Sequence, residues 1–442
     1  MEKSNIDEKI KLLTGSGMWH TQEVEDLPSV HLSDGPHGLR KQEEKERQNN
    51  VSLVSTCYPT ASALACSWDV TAAERLGRAV AKEAWNADVA VLLGPGINMK
   101  RSPLCGRNFE YFSEDPFLAG RLGAAYVSAA QGENVAVSLK HFAANNQETN
   151  RQTSNSQIDE RALREIYLSA FEYVVKTARP ATVMASYNRL NGYYACENRH
   201  LLTEILREEW GFDGVVISDW GACADLAKAV KAGMDLEMPD SHGIHARKLK
   251  AALKAGEISE EDIAKAAGRI EKLVKKYAPD NRAKKDTSDA HEIAKQLACE
   301  SAVLLKNDGV LPLDTSKKIA FVGPYTNNHE IKSSWSFTGD SKDCVTIQKA
   351  AEKVFDASRT TYAEGCPVIG NDVELIGFTE TTPKKYSEEE LAAMEQSALQ
   401  AAKEADLVVM PMGEHYLQSG EATSRAMIDV PEIQMELFHK VL

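Results

Sequence analysis

The eight cysteines of this 442-residue chain include no CxxC pair. Their scatter fits neither a disulfide framework nor a zinc spacing, and the expectation is buried free thiols in a reducing, cytoplasmic setting. No apolar run approaches the ~20 residues that a bilayer-spanning helix needs. The opening stretch MEKSNIDEKIKLLTG also lacks the apolar core of a secretory signal, so no membrane association is expected. Basic residues are outnumbered, 51 against 65, for a net charge of −14. No basic stripe with interleaved aromatics offsets that acidity, which argues against nucleic acid as a partner. GxGxxG, the P-loop and the GxSxG elbow are missing. So is HExxH, and the histidines show no other metal spacing. The expectation is a protein with neither metal nor cofactor. Internal repeats and low-complexity tracts are absent as well.

Hydrophobic residues make up 43% of the chain, enough for a large core, and the length predicts two or three domains. A first helix is predicted over Ile6–Leu13, with Asn5 as its cap and Gly15 past its end. Residues 41–50 (KQEEKERQNN) read as a solvated loop. From about 68 to 240, amphipathic helices alternate with short apolar runs. Helices are expected at 71–86, 116–131, 160–178, 199–210 and 222–232. The runs between and after them are VAVLLGP (89–95), VAVSLKHF (135–142), ATVMASYN (181–188), VVISDW (215–220) and MDLEMP (234–239). That alternation indicates buried parallel strands joined by crossover helices. Closed with less obvious early strands, they make a (β/α)8-type TIM barrel of the α/β class. An open doubly wound sheet is the alternative, without its usual phosphate fingerprint.

The strand runs end in polar residues: Lys140 and His141, Tyr187 and Asn188, Asp219. A Lys–His pair inside a core strand would be costly, but at the C-terminal mouth of a parallel barrel it is available for chemistry. Helices are predicted at 257–277 and 290–304, with a polar break between them. The barrel domain is therefore placed at 1–277, a linker at 278–289, and an α/β sandwich domain at 290–442. The sandwich should hold strands at 317–324 and 405–413 and a helix over Glu388–Glu404; residues 357–386 show no readable pattern.

Seven stretches, taken together, resemble glycoside hydrolase family 3, the β-glucosidase family. They are SDGPHGLR (33–40), CGRNFEYFSEDP (105–116), SLKHFAANNQETNR (138–151), VMASYNRLNG (183–192), GVVISDWGA (214–222), AGMDLEMP (232–239) and SAVLLKNDGVLPL (301–313). They occur in the family's order and cover about residues 5–325. GEHYLQSGEATSR (413–425) is similar, more loosely, to the family's acid/base loop.

The resemblance implies a retaining glycosidase, whose two carboxyl groups stand about 5–5.5 Å apart. Asp219, in SDW at a strand end, matches the nucleophile; its alternative reading is a cap for the helix expected at Ala222. Asp34, Arg107, Lys140, His141, Arg151 and Tyr187 match residues around the nonreducing sugar, with Arg40 a further candidate. Trp220 reads as core packing or as a platform for the sugar's C–H face. Xylosidases of the family more often carry Cys there, so Trp favours a glucosidase. Past the strand at 405–411 stand Glu414, Glu421 and Glu432. Glu421 aligns best with the acid/base, with Glu414 as its competitor. KHFAANNQ departs from the KHFPGHG pattern of the family's N-acetylglucosaminidases.

The implied substrate is a β-linked glucoside or oligosaccharide. A β-xylosidase or arabinosidase of the same family, or a non-catalytic carbohydrate-binding protein on the same fold, are the alternatives. Family members continue with more sandwich strands than residues 290–442 provide. The expectation is a truncated second domain, completed by further chain or by a second polypeptide. Its exposed sheet edge would predict such a partner or self-association.

Overall fold

The strand residues Val89–Leu93 and Ala136–Phe142 are buried at every position, so both faces of the sheet they form must be covered. The computed structural model describes residues 6–35, 37–42, 52–279, 283–329, 343–373 and 383–442. The described residues up to Ala302 form one compact unit and those after it a second. The Asn5 cap and most of the charged loop at 41–50 lie outside the described residues.

The first unit has a seven-stranded sheet. In order, its strands are β1 (Gly15–Ser16), β2 (His20–Thr21), β3 (His31–Asp34), β4 (Val89–Leu93), β5 (Ala136–Phe142), β7 (Thr182–Ala185) and β10 (Val215–Ser218). Three short strands, β6 (Asn155–Ser156), β8 (Arg189–Leu190) and β9 (Tyr193–Tyr194), make a separate small sheet. From β3 to β10 every pairing is parallel, whereas β2 runs antiparallel to both β1 and β3. The ring closes through an eighth segment, because Leu236 bridges Ile217 of β10 and Glu237 bridges Thr14 just before β1. The barrel therefore has its eight positions, with an early β1–β2 hairpin in place of a strand–helix–strand crossover. Residues 234–239, read from sequence as a strand, form only those isolated bridges, with individual backbone hydrogen bonds to either neighbour in place of a continuous ladder, before turning at 238–239.

Caps set where the outer helices begin. Asp69 caps Val70–Asn86, Asp115 caps Pro116–Gly132, and Ser259 with Asp262 forms a reciprocal capping box on Glu260–Tyr277. The helix expected from Ala222 starts four residues later, at Leu226, where Asp225 accepts hydrogen bonds from the backbones of Ala227 and Lys228. The helices expected at 160–178 and 199–210 each contain a π-helical stretch, Leu163–Tyr167 and His200–Glu209. A helix at Ile244–Lys254, which the sequence pattern did not indicate, begins at Gly243 without a side-chain cap. No described helix is long and apolar enough to cross a membrane.

The segment read as a linker is strapped to the barrel where it is described. Trp85 Nε1 donates to the carbonyl of Ala283, Asn86 pairs with the backbone of Lys285 in both directions, and the Lys285 ammonium lies 4.5 Å from the Trp85 ring centre. Helix Ala290–Glu300, assigned from sequence to the second domain, belongs to the first unit, with Leu297 buried in the barrel's core and Arg75 paired to Glu300. A polar composition marks a chain segment as solvated and says nothing of what its backbone and lysine stems rest on.

The second unit carries a three-stranded parallel sheet, with β11 (Ile319–Val322) between β12 (Thr360–Ala363) and β13 (Leu407–Val409). Ala320, Val322 and Ala363 face helices Glu388–Glu404 and Glu432–Val441. Ile319 and Phe321 pack with Ala351 and Phe355 on the other face. Alternate residues of one strand thus feed two cores, which is the sandwich expected. Strand β12 falls in the region without a readable sequence pattern.

Two glycines test the barrel's packing. A Cβ on Gly77 would sit 2.5 Å from the Tyr126 carbonyl oxygen of the neighbouring helix, whereas one on Gly268 meets nothing within 4 Å. Gly77→Ala should cost about 1–3 kcal/mol, as overpacking does. Gly268→Ala should add about 0.4–1 kcal/mol. Thermal unfolding of the two variants should therefore shift Tm in opposite directions; an unchanged or raised Tm for Gly77→Ala would contradict this helix contact.

Candidate active site

The polar strand ends converge at one end of the barrel. Asp34 closes β3, Lys140 and His141 lie in β5, and Asp219 directly follows β10. Arg107 sits in a 3-10 turn, Gly106–Glu110, in the connection after β4, and Tyr187 follows β7. Lys140, His141, Arg107, Arg151, Tyr187 and Asp219 are all buried.

Asp219 is positioned by its backbone first. Its N–H donates to the Ala185 carbonyl of β7 at 2.9 Å, and its Oδ1 accepts from the Trp220 N–H at 2.8 Å. Its Oδ2 lies 3.7 Å from His141 Nε2. The cap of the next helix is Asp225, so the reading of Asp219 as a helix cap falls. His141 is held by Asn98, whose side chain accepts from the His141 N–H at 2.6 Å and donates to its carbonyl at 2.9 Å. Tyr111 Oη is 3.0 Å from His141 Nδ1. Burial, and then the positive charges of Arg107, Lys140 and Arg151, push the His141 imidazole well below its usual range. Burial also pushes the Tyr111 phenol well above its own. A neutral imidazole that accepts from Tyr111 carries its one proton on Nε2, aimed at the Asp219 side of the site.

The guanidiniums are fixed by two carboxylates that sequence reading passed over. Arg107 Nε donates to Glu110 Oε1 at 2.6 Å, and Arg151 Nη1 to Glu148 Oε2 at 2.9 Å. Both glutamates are 2% exposed. Their signal was present as RxxE in 107–110 and ExxR in 148–151, a spacing at which side chains meet across one turn. Arg151 also lies over the Tyr187 ring, 4.3 Å from its centre, while Tyr187 Oη donates to the Trp220 carbonyl at 3.2 Å. Asp34 is half-buried, with Arg40 Nη1 3.7 Å from its Oδ2 and the Arg40 N–H donating to its carbonyl. Arg40 thus stands beside Asp34 at the end of β3. Trp220 is half-buried and donates from Nε1 to the Met18 carbonyl at 2.9 Å.

Cys223, Glu237 and His245 bring one ligand-type atom each within 4.8 Å of one another. His245 Nδ1 is hydrogen-bonded to Glu237, Ser241 Oγ reaches the same carboxylate at 3.3 Å, and burial keeps the Cys223 thiol protonated. The Glu237–His245 and Glu237–Ser241 hydrogen bonds brace the segment that closes the barrel, with the Cys223 thiol nearby.

In the second unit, the loop leaving β13 is pinned by Gln434, which is fully buried. It accepts from the Gly413 N–H at 3.0 Å and donates to the Gly413 and Val368 carbonyls. Glu414 is exposed and ion-paired with Arg425, whose Nη2 also donates to the Asp429 carbonyl at 3.1 Å. Glu421 is half-buried, in a turn after the 3-10 segment Tyr416–Gln418. Glu432 is the exposed first residue of the last helix.

Comparison with known proteins gives the family of the fold. Residues 36–273 match the model of the glycosyl hydrolase family 3 N-terminal domain, and residues 302–442 that of its C-terminal domain. The chain is 43% identical to thermostable beta-glucosidase B of Acetivibrio thermocellus, an alignment covering all of this chain and 57% of that protein. It is 39% identical to an exo-alpha-(1->6)-L-arabinopyranosidase of Bifidobacterium longum, covering 99% of this chain and 57% of that one. Its structure superposes on the crystal structure of a Bifidobacterium adolescentis GH3 beta-glucosidase with a TM-score of 0.87 at 38% identity, covering all of this chain and 61% of the other. The chain thus spans a little over half the length of these relatives. With the family's N- and C-terminal domain models both matched, in order, over a barrel and an α/β sandwich, the chain belongs to glycoside hydrolase family 3.

Proposed function

We propose that the protein is a retaining β-glucosidase, with Asp219 as nucleophile and Glu421 as acid/base. The observation that carries the reading is the surroundings of Asp219. A carboxylate at a strand end, with a backbone donor on one oxygen and a neutral imidazole near the other, stands beside a floor of buried cations. A nucleophile must stay ionised, and donors and positive charges favour its charged form. Arg107, Lys140 and the His141 Nε2 proton are oriented donors for sugar hydroxyls, and Asp34 is an acceptor. In this reading Asp219 attacks the anomeric carbon while Glu421 protonates the departing oxygen. Water activated by Glu421 then releases the sugar with its configuration retained.

Glu421 is favoured over Glu414 because, within GEHYLQSGEATSR (413–425), it aligns best with the family's acid/base; Glu414 is exposed and ion-paired with Arg425. Eight free thiols, four of them buried, fit work in a reducing compartment such as the cytoplasm.

A second reading has its own observation, the 39% identity to a relative named as an arabinopyranosidase. An α-L-arabinopyranose shares the equatorial anomeric bond of a β-glucoside but lacks the exocyclic carbon and has an axial 4-hydroxyl. The β-glucosidase reading predicts a higher kcat/KM on p-nitrophenyl β-D-glucoside than on p-nitrophenyl α-L-arabinopyranoside. The reverse order would make arabinopyranoside the substrate class, and turnover of neither, nor of p-nitrophenyl β-D-xyloside, would leave a binding protein.

The acid/base assignment gives a second test. Losing a general acid typically costs about 10²–10⁴-fold, and it matters most when the leaving group is poor. Glu421→Ala should nearly abolish cellobiose hydrolysis. With dinitrophenyl β-glucoside it should still form the glycosyl-enzyme and then stall, and azide should restore turnover as β-glucosyl azide. Glu414→Ala should show neither effect; an exchange of the two phenotypes would move the role to Glu414.

A further inference from the structure

The β1–β2 hairpin brings a second indole to the site. Strand β1 runs parallel to the segment at Glu237, so its C-terminal end, and the turn after it, lie at the same mouth as Asp219. The turn is tied there by two hydrogen bonds, from the Asp240 N–H to the Gly17 carbonyl at 3.0 Å and from Trp220 Nε1 to the Met18 carbonyl at 2.9 Å. Trp19, the last residue before β2, packs against Trp220 with ring centres 5.2 Å apart and planes tilted by 38°. Its own Nε1 donates to Gln42 Oε1 at 3.0 Å. Both indole N–H groups are therefore engaged by protein, and both rings are only half-buried. What the pair still offers is apolar ring surface beside the nucleophile.

The site is divided by chemistry. The groups that can read hydroxyls (Arg107, Lys140, His141) are buried, 1–4% exposed, and so surround the sugar that reacts. The leaving group must lie on the open side of Asp219, where the tryptophans are. We propose that Trp19 extends the Trp220 surface into the leaving-group subsite. There it favours β-glycosides whose aglycone presents a flat apolar face, either an aryl ring or the C–H face of a second pyranose. The inference rests on the hydrolase reading above, and makes Trp19 a specificity-determining residue with no part in bond cleavage.

The test compares ligands that reach Trp19 with one that does not. In the intact protein, Trp19→Ala should raise KM and lower kcat/KM for p-nitrophenyl β-glucoside and cellobiose by about three- to tenfold, the effect of losing one aromatic contact. Inhibition by deoxynojirimycin, which fills only the reacting-sugar position, should change by less than about twofold. Trp19→Phe should recover most of the loss. Equal weakening of the inhibitor and the aryl glucoside would show that Trp19 merely supports Trp220 and the hairpin, and would overturn the proposal. So would an aryl glucoside unaffected by Trp19→Ala. A parent protein inert toward every β-glycoside would instead defeat the hydrolase reading, and this inference with it.

Discussion

The site depends on keeping charge where water is largely excluded. Arg107, Lys140 and Arg151 are buried at the barrel mouth with Glu110, Glu148 and Asp219, three cations and three carboxylates, all 6% exposed or less. A lone buried charge would be neutralised or would destabilise the fold. Arg107 with Glu110 and Arg151 with Glu148 meet that cost as pairs, and in doing so fix the orientation of both guanidiniums. Asp219 has a backbone donor on one oxygen and the His141 ring near the other. That arrangement suits a group that must stay charged and yet accept a carbon. His141, held neutral by burial and by the same cations, adds a donor without adding charge.

The barrel makes this possible by bringing groups from several strand ends, and from the connections after them, to one face. Parallel strands deliver their C-terminal ends to one face, so residues from β3, β5, β7 and β10 meet although they are far apart in sequence. The hairpin at β1–β2 and the single-residue bridges at Leu236 and Glu237 close the ring at less regular positions. These irregular closures lie beside the nucleophile, where Trp19 and Trp220 pack and where Glu237, bonded to His245 and Ser241, holds the returning chain.

Much of this was legible in the sequence because a short apolar run between amphipathic helices, ending in polar residues, is best accommodated as a buried strand that opens on a solvated mouth. Strands β4, β5, β7 and β10 lie within the runs that announced them, and helix Glu388–Glu404 has the predicted ends. What escaped the reading was set by single contacts. Residues 234–239 carry a strand's composition but find only one bridging residue on each side. The helix expected at Ala222 waits for Asp225, the first residue able to cap it after the positive-φ turn at Gly221. Glu110 and Glu148 stood inside the quoted motifs, yet a glutamate in a polar loop reads as solvated until its arginine is seen to be buried. Trp19 sits in a two-strand hairpin too short to leave a periodic signal. In the second unit, the pairing of Glu414 with Arg425 is a contact across eleven residues, beyond what local pattern reveals.

The central claim is that the Asp219 carboxylate forms the bond to the sugar. Incubation of the protein with 2,4-dinitrophenyl 2-deoxy-2-fluoro-β-D-glucoside should inactivate it with a burst of one dinitrophenolate per active site. The fluorine slows release of the glycosyl-enzyme more than it slows departure of so good a leaving group. Mass spectrometric mapping should then place the added 2-deoxy-2-fluoroglucosyl group on Asp219, within GVVISDWGA. A label on another carboxylate, such as Asp34 or Glu237, or turnover with no covalent adduct, would contradict the account.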